Sequence, residues 1–261
     1  MAEQLIEQRE GGVVTLTMNR PDAMNALTDH LIDAMIEAFQ RLGRDPDVGV
    51  IVLTGAGRAF CAGGDVKDLS GRAERTLEKR IEDLRHKQSV ALAMHRCPKP
   101  IVAAVNGAAM GAGLSIALMA DFRIVATTAT FATAFAAVGF SGDFGISWSL
   151  PRLVGPAKAR ELLMLNPRLN AEAAERLGLV TRLVDGASLM EEAMTFATTL
   201  ASGPVVAWTM MKRNLNFAET QGLAETLDLE ASNQSRCAMT EDHREARTAW
   251  MEKRPPKFSG R

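Results

Sequence analysis

NGAAMGAGLSIALMADFRIVATTATFATAFAAVGFSGDFG, residues 106–145, is the stretch around which the chain is organised. It follows a short apolar strand, Ile101 to Val105. It opens on a glycine-rich turn and runs on into an apolar segment that reads as the first turns of a buried helix. Gly111 and Gly113 can take backbone angles denied to other residues. The amide of Ala112, at the N-terminus of that helix, is therefore able to point at a ligand oxygen with the helix dipole behind it. The stretch closes on another glycine-rich turn that holds one acid, Asp143. Taken alone, the glycines fit close packing of a helix on a sheet equally well, and Gly-Asp is ordinary turn chemistry.

A second turn of the same kind lies upstream. GVIVLTG (49–55) is nearly all apolar and bounded by glycine, the pattern of a buried strand. It runs into GAGRAFCAGGDVKDL (55–69), whose centre, Cys61 to Asp65, again displays backbone amides between a strand and a helix. Before it, VVTLTM (13–18) reads as a strand and NRPDAMNA (19–26) as a turn broken by Pro21. Thr28 is a plausible N-cap for a helix over 28–43, in which Leu31, Met35, Ile36, Phe39 and Leu42 recur at helical spacing. Residues 70–96 are charged and amphipathic, hence helical, with a mobile start near Ser70-Gly71-Arg72. PKPIVAAVNG then repeats the strand-to-turn step. DFRIVA (121–126) and LVTRLV (179–184) add strands.

From about 186 the chain reads as helix after helix: a run to Leu200, a restart after Gly203-Pro204, a segment from Leu223 to Cys237 and a last one from Glu241 to Lys253. The whole is an α/β pattern with repeated crossovers, divided into a core over 1–195 and a helical region over 196–261. The Met and Leu positions of the helical region read as packing, including packing between subunits.

Among the 261 residues, 30 basic side chains face 31 acidic ones, for a net charge of −1. That balance argues against a nucleic-acid footprint and against a membrane-surface patch. MAEQLIEQREGG has no basic start followed by an apolar run, and the longest weakly polar stretch, 108–120, is too short to span a bilayer. A cytoplasmic location is expected. Cys61, Cys97 and Cys237 are odd in number and widely spaced, which fits reduced thiols. No histidine is placed to activate Cys61, so it is read as packing; His86 and His95 are read as surface or capping residues, and Asp65 as the cap of the following helix. Tyrosine is absent, so no phenol serves as acid or donor.

The paired turns GRAFCAGGDV (57–66) and AVNGAAMGAG (104–113), together with NRPDAMNAL (19–27), PKPIVAAVNG (98–107), LPRLVG (150–155) and EKRPPKFSGR (252–261), resemble the enoyl-CoA hydratase/isomerase superfamily, the crotonases, and in that family's order. The resemblance covers nearly the whole chain. It implies a crotonase-like spiral of β-β-α units followed by a C-terminal helical region that drives trimerisation, as a homotrimer or dimer of trimers. It implies an acyl-CoA thioester ligand, with coenzyme A as part of the substrate and no further cofactor. Carried over by position, the Ala62 and Ala112 amides would hold the thioester oxygen. Ala62, Gly63, Gly64 and Asp65, with the turn from Met24 to Ala26, would line the pantetheine and adenosine path, and Gly111, Phe135 and Phe140 would complete the pocket. Fixed dipoles aimed at an oxygen that gains charge need not reorganise during reaction, and losing one such donor costs roughly 10²–10³ in rate.

Hydratases of the family place water with two glutamates, whose positions fall here on Ser115 and Phe135. Neither can act as a carboxylate base. Asp143, within AFAAVGFSGDFGISWSLPRLVG (134–155), lies where the family's double-bond isomerases carry an acid. Isomerisation needs one base that removes a proton from one carbon and returns it to another. Phe135, Phe140 and Phe144 would desolvate that base and raise its pKa toward a useful range. Three alternatives stand beside this reading: hydration by Asp143 and an ordered water, aryl-CoA dehalogenation with Asp143 as nucleophile, and a non-catalytic acyl-CoA scaffold. The dehalogenases also use a histidine whose position falls here on Leu92.

Overall fold

The computed structural model describes residues 3–65 and 76–260. The expected mobile start at 70–72, and the helix start that Asp65 was expected to cap, lie outside these residues. Strands β1 (Leu5–Glu10), β2 (Val13–Met18), β3 (Val50–Gly55), β4 (Ala59–Cys61), β5 (Ile101–Val105), β6 (Ala108–Met110), β7 (Phe122–Ala126), β8 (Thr130–Ala132), β9 (Leu169–Asn170) and β10 (Arg182–Val184) divide between two sheets. The larger runs β1-β2-β3-β5-β7-β10 and the smaller β4-β6-β8-β9. From β2 onward the larger sheet is parallel, with β1 closing it as an antiparallel edge.

The helices are α1 (Asp29–Arg44), α2 (Leu77–Arg96), α3 (Ala112–Met119), α4 (Ile146–Val154), α5 (Pro156–Leu165), α6 (Ala171–Arg176), α7 (Leu189–Ala201), α8 (Val205–Ala218), α9 (Leu223–Ala238) and α10 (Glu241–Glu252). A repeat follows from this order. One strand joins the large sheet, the next joins the small sheet, and a helix returns the chain, as in β3-β4-α2 and β5-β6-α3. This is the spiral of β-β-α units.

The inner strands β2, β3, β5 and β7 of the large sheet are buried on both faces, so they read as mostly apolar runs. One face, with Leu16, Ile51, Leu53, Ile101 and Ala103, packs against Leu31, Met35 and Phe39 of α1, Val90 and Met94 of α2, and α3. The other, with Val13, Val50, Val52, Val102 and Ala104, packs against Leu189, Ala193 and Ala197 of α7. The helix through which the expected boundary near 195 runs is therefore packed on the sheet. Thr28 caps α1 as expected, its hydroxyl accepting from the Leu31 amide at 3.1 Å.

The strand expected over 179–184 is shorter, because only Arg182 to Val184 pair with β7. The buried Arg123 side chain binds the residues before them instead, its Nε donating to Leu179 O at 2.7 Å, while the Arg123 amide donates to Thr181 Oγ1 at 3.0 Å. No helix among the described residues is long and apolar enough to cross a membrane.

Candidate active site

Both glycine turns leave the small sheet, β4 into the turn at 62–65 and β6 into the turn at 111–113, so the parallel pairing of β4 with β6 sets them side by side. Contact between them is at van der Waals limits. A Cβ at Gly113 would lie 2.1 Å from Cys61 O, and one at Gly107 would lie 2.1 Å from Arg58 O. A Cβ at Gly63, where φ is +99°, would lie 3.0 Å from Met110 O and 3.6 Å from the Ala112 nitrogen. Glycine is required at these points so that one turn's backbone can reach the other's amides.

The turn at 19–27 is fastened onto the first of these. Met24 and Asn25 both adopt left-handed angles, at φ 48° and 56°. The buried Asn25 carboxamide donates to Ala56 O and Ala59 O and accepts from the Arg20 amide. Arg20 bridges Ala26 O and the Asp65 carboxylate, the latter at 2.9 Å. Leu27 pairs with Gly64 as a parallel bridge. Met24, Ala26, Gly63, Gly64 and Asp65 are thus brought together, and Asp65 is engaged by Arg20.

One expected donor is used elsewhere. The Ala62 amide donates to Met24 O at 2.9 Å, so its proton is spent on fixing the two turns to each other. Leu27 takes Gly63 O, and the Asp65 amide donates to Leu27 O. Among the described residues, the amides left without a protein acceptor in these turns include those of Gly64 and Ala112. Gly64 is exposed, and a Cβ there would meet nothing within 4 Å among the described residues. Ala112 begins α3, preceded by Gly111 at φ 53° and ψ −123°, a conformation suited to glycine. Spacing alone could not separate Ala62 from Gly64, because both lie in the same glycine run; the hydrogen bond to Met24 does.

Cys61 is fully buried, its thiol donating to Asn25 O at 3.1 Å, and burial pushes its pKa up to about 12. It is a packing residue. Ser115 is also fully buried within α3, its hydroxyl donating to Gly111 O.

The acid's turn comes next to the amide turn through Phe135. A Cβ at Gly111 would lie 3.9 Å from Phe135 Cε1, and one at Gly142 would lie 3.9 Å from Cδ2, the ring carbon opposite. The Phe135 ring therefore lies against both the Gly111 turn and the Gly142 turn. Phe135 and Phe144 are buried and the Asp143 Oδ1 atom is shielded from solvent. Phe140 differs from expectation: it is 55% exposed, because the short helical turn at Ala136–Val138 carries the chain outward before it. His95 also differs. It is half-buried, packed edge-on against Trp148 at 4.9 Å, and desolvation lowers its pKa. His86 lies at the surface, as expected, beside Asp33.

A model of the enoyl-CoA hydratase/isomerase family matches residues 8–261. The chain belongs to the enoyl-CoA hydratase/isomerase family. It is similar to the 1,2-epoxyphenylacetyl-CoA isomerase of Escherichia coli K12, at 37% identity over all of both chains. It is also similar to the crotonyl-CoA hydratase of Syntrophomonas wolfei, at 34% identity over 98% of each. Among solved structures it superposes on an enoyl-CoA hydratase from Polaromonas sp. JS666 with a TM-score of 0.92 and 33% identity, covering 97% of this chain and 99% of the other. Relatives within the family carry both names, so the chain is an enzyme of the hydratase/isomerase type, and the choice between the two reactions rests on its own residues.

Proposed function

We propose that this enzyme moves a double bond within an acyl-CoA thioester, with the Asp143 carboxylate as the single base and the Gly64 and Ala112 amides holding the thioester oxygen. The observation that carries the reading is the Phe135 ring set between the Gly111 turn and the Gly142 turn. On this reading the ring keeps the turn that carries the acid near the Ala112 turn, and hydrocarbon stands at the position where the family's hydratases carry a second carboxylate. Removal of a proton next to the thioester places negative charge on its oxygen. Two fixed amides, one at a helix N-terminus, stabilise that charge without reorganising. Asp143 then returns the proton to another carbon, which leaves the carboxylate as it began. The shuttle requires the acid and the amides alone. Leu92, where a dehalogenase would need a histidine, supplies no base.

The pantetheine arm is proposed to follow the joined turns at 24–26 and 63–65. We also propose a trimer, supported by the large apolar side chains exposed on α8 to α10, including Leu215, Leu223 and Trp250, and by Met239 just after α9.

A 3-enoyl-CoA and a 2-enoyl-CoA, supplied separately to the native enzyme and to Asp143→Asn, test the reading by product analysis. Migration in the native enzyme that falls by roughly 10²-fold or more in the variant is the expected result. Water addition without migration would make the enzyme a hydratase.

A further inference from the structure

Ala134 is a non-glycine residue in the left-handed region, at φ 59°, immediately before the ring that joins the two halves of the site. Such a conformation persists where the surroundings enforce it. The turn is closed across Ala134 by the Phe135 amide donating to Thr133 O at 2.8 Å, and it is bonded from outside by Asn166, at the far end of α5. Its Oδ1 accepts from the Ala134 amide at 2.6 Å and lies 3.2 Å from Thr133 Oγ1, which donates to Leu162 O at 2.8 Å. Asn166 is itself left-handed, at φ 49° and ψ 49°, and closes α5. The turn it holds sends Phe135 inward, whereas residues 136–140 are exposed.

We infer that Asn166 is a positioning residue: through the Ala134 amide it seats the Phe135 ring between the Ala112 turn and the Asp143 turn, and so keeps water from the face where the proton is returned. The consequence for product rests on the isomerase reading given above; the seating of the ring does not.

Two substitutions in the full chain separate the roles of Asn166. Asn166→Gly keeps the left-handed helix end, which glycine adopts freely, but removes the acceptor. Asn166→Asp keeps an acceptor oxygen at the same place. In Asn166→Gly, hydrogen exchange of the Ala134 amide is expected to rise at least tenfold. The hydrated share of product from a 2-enoyl-CoA or 3-enoyl-CoA is expected to rise at least fivefold, with kcat for migration falling more than KM changes. Asn166→Asp is expected to restore both readouts to within about threefold of the native enzyme.

A purely structural role would lower migration and hydration together and leave their ratio alone, and that result would overturn the inference. Unchanged exchange at Ala134 in Asn166→Gly would overturn it as well. Should Asn166→Gly not fold, Asn166→Gly with Ala134→Gly relieves the φ 59° strain, and the same two readouts decide. If the native enzyme moves no double bond, the isomerase reading fails by itself, and exchange at Ala134 still supports or overturns the seating of the ring.

Discussion

α3 and α8 are both helices of largely apolar sequence, yet the fold treats them in opposite ways. Seven of the eight residues of α3 are buried, and it enters the core so tightly that its second residue must be glycine. None of the fourteen residues of α8 is buried. It is held by a polar row instead: Thr209 donates to Pro98 O, Lys212 to Lys99 O and the Asp121 carboxylate, and Asn216 to His95 O. These side chains recur once per turn and satisfy carbonyls left over where α2 ends and β5 begins. Apolar sequence therefore does not decide burial by itself. What decides it is whether the element is enclosed by its own chain.

The largest effect is expected where enclosure is complete. Gly113→Ala puts a methyl 2.1 Å from Cys61 O, a backbone atom that cannot move without shifting β4. Overpacking against backbone costs about 3 kcal/mol or more, enough to lower Tm by on the order of 10 °C in a chain of this size. Thermal unfolding of the variant measures it. A loss under about 1 kcal/mol would show that the turns are less closely joined than described.

A change on α8 and α9 should act on assembly and spare the single chain. Leu215 and Leu223 are 69% and 76% exposed. Replacing both with lysine is expected to alter monomer stability by no more than about 0.5 kcal/mol per site. If the exposed apolar set is covered by other copies, the same pair of substitutions should move the sedimenting mass from a trimer toward a monomer. A native enzyme that itself sediments as a monomer would refute the proposed trimer and leave the contrast between α3 and α8 without its assembly explanation.

The same contrast explains what could be read from the sequence. Helices α1, α7, α8, α9 and α10 were legible because spacing, caps and breakers act locally; Thr28 at the start of α1 is the plainest instance. Strands β4, β6 and β8 were missed. Each has three residues and is overlapped by the turn chemistry beside it, and each exists only through pairing with a strand of distant sequence. β1 was missed because LIEQRE is a mostly polar edge strand, exposed over its last four residues. In the site, the two glycine turns and the acid were visible as residue types. The proposed choice of Gly64 over Ala62 depends on a hydrogen bond to Met24, and the proposed role of Asn166 on a contact between residues 32 positions apart. No periodicity reports such contacts.

The smallest predicted effect comes from pH, because a polar attachment titrates and an apolar one does not. After α10 the chain folds back along it. Arg254 grips Glu245 with both terminal nitrogens, at 2.6 and 3.0 Å, and Glu252 with Nε; the Lys257 amide adds a bond to Glu245. Ser259 and Gly260 donate to Asp242. The Arg254 guanidinium, then the Lys257 amide, hold the Glu245 carboxyl down to about 2 from an ordinary value of 4.5. A carboxyl depressed in the folded state contributes stability that is fully present above its unfolded value and is lost as pH falls through its folded value. The window is therefore pH 4.5 down to about 2. Across it, exchange at the Lys257 amide, corrected for the intrinsic rate, should rise several-fold, and Glu245→Gln should abolish that dependence while leaving the Asp242 contacts in place. α3 carries no titratable side chain, so its amides should show no matching change. Equal responses in α3 and the tail would mean that acid opens the whole chain at once, and the division between an enclosed core and a latched tail would fail.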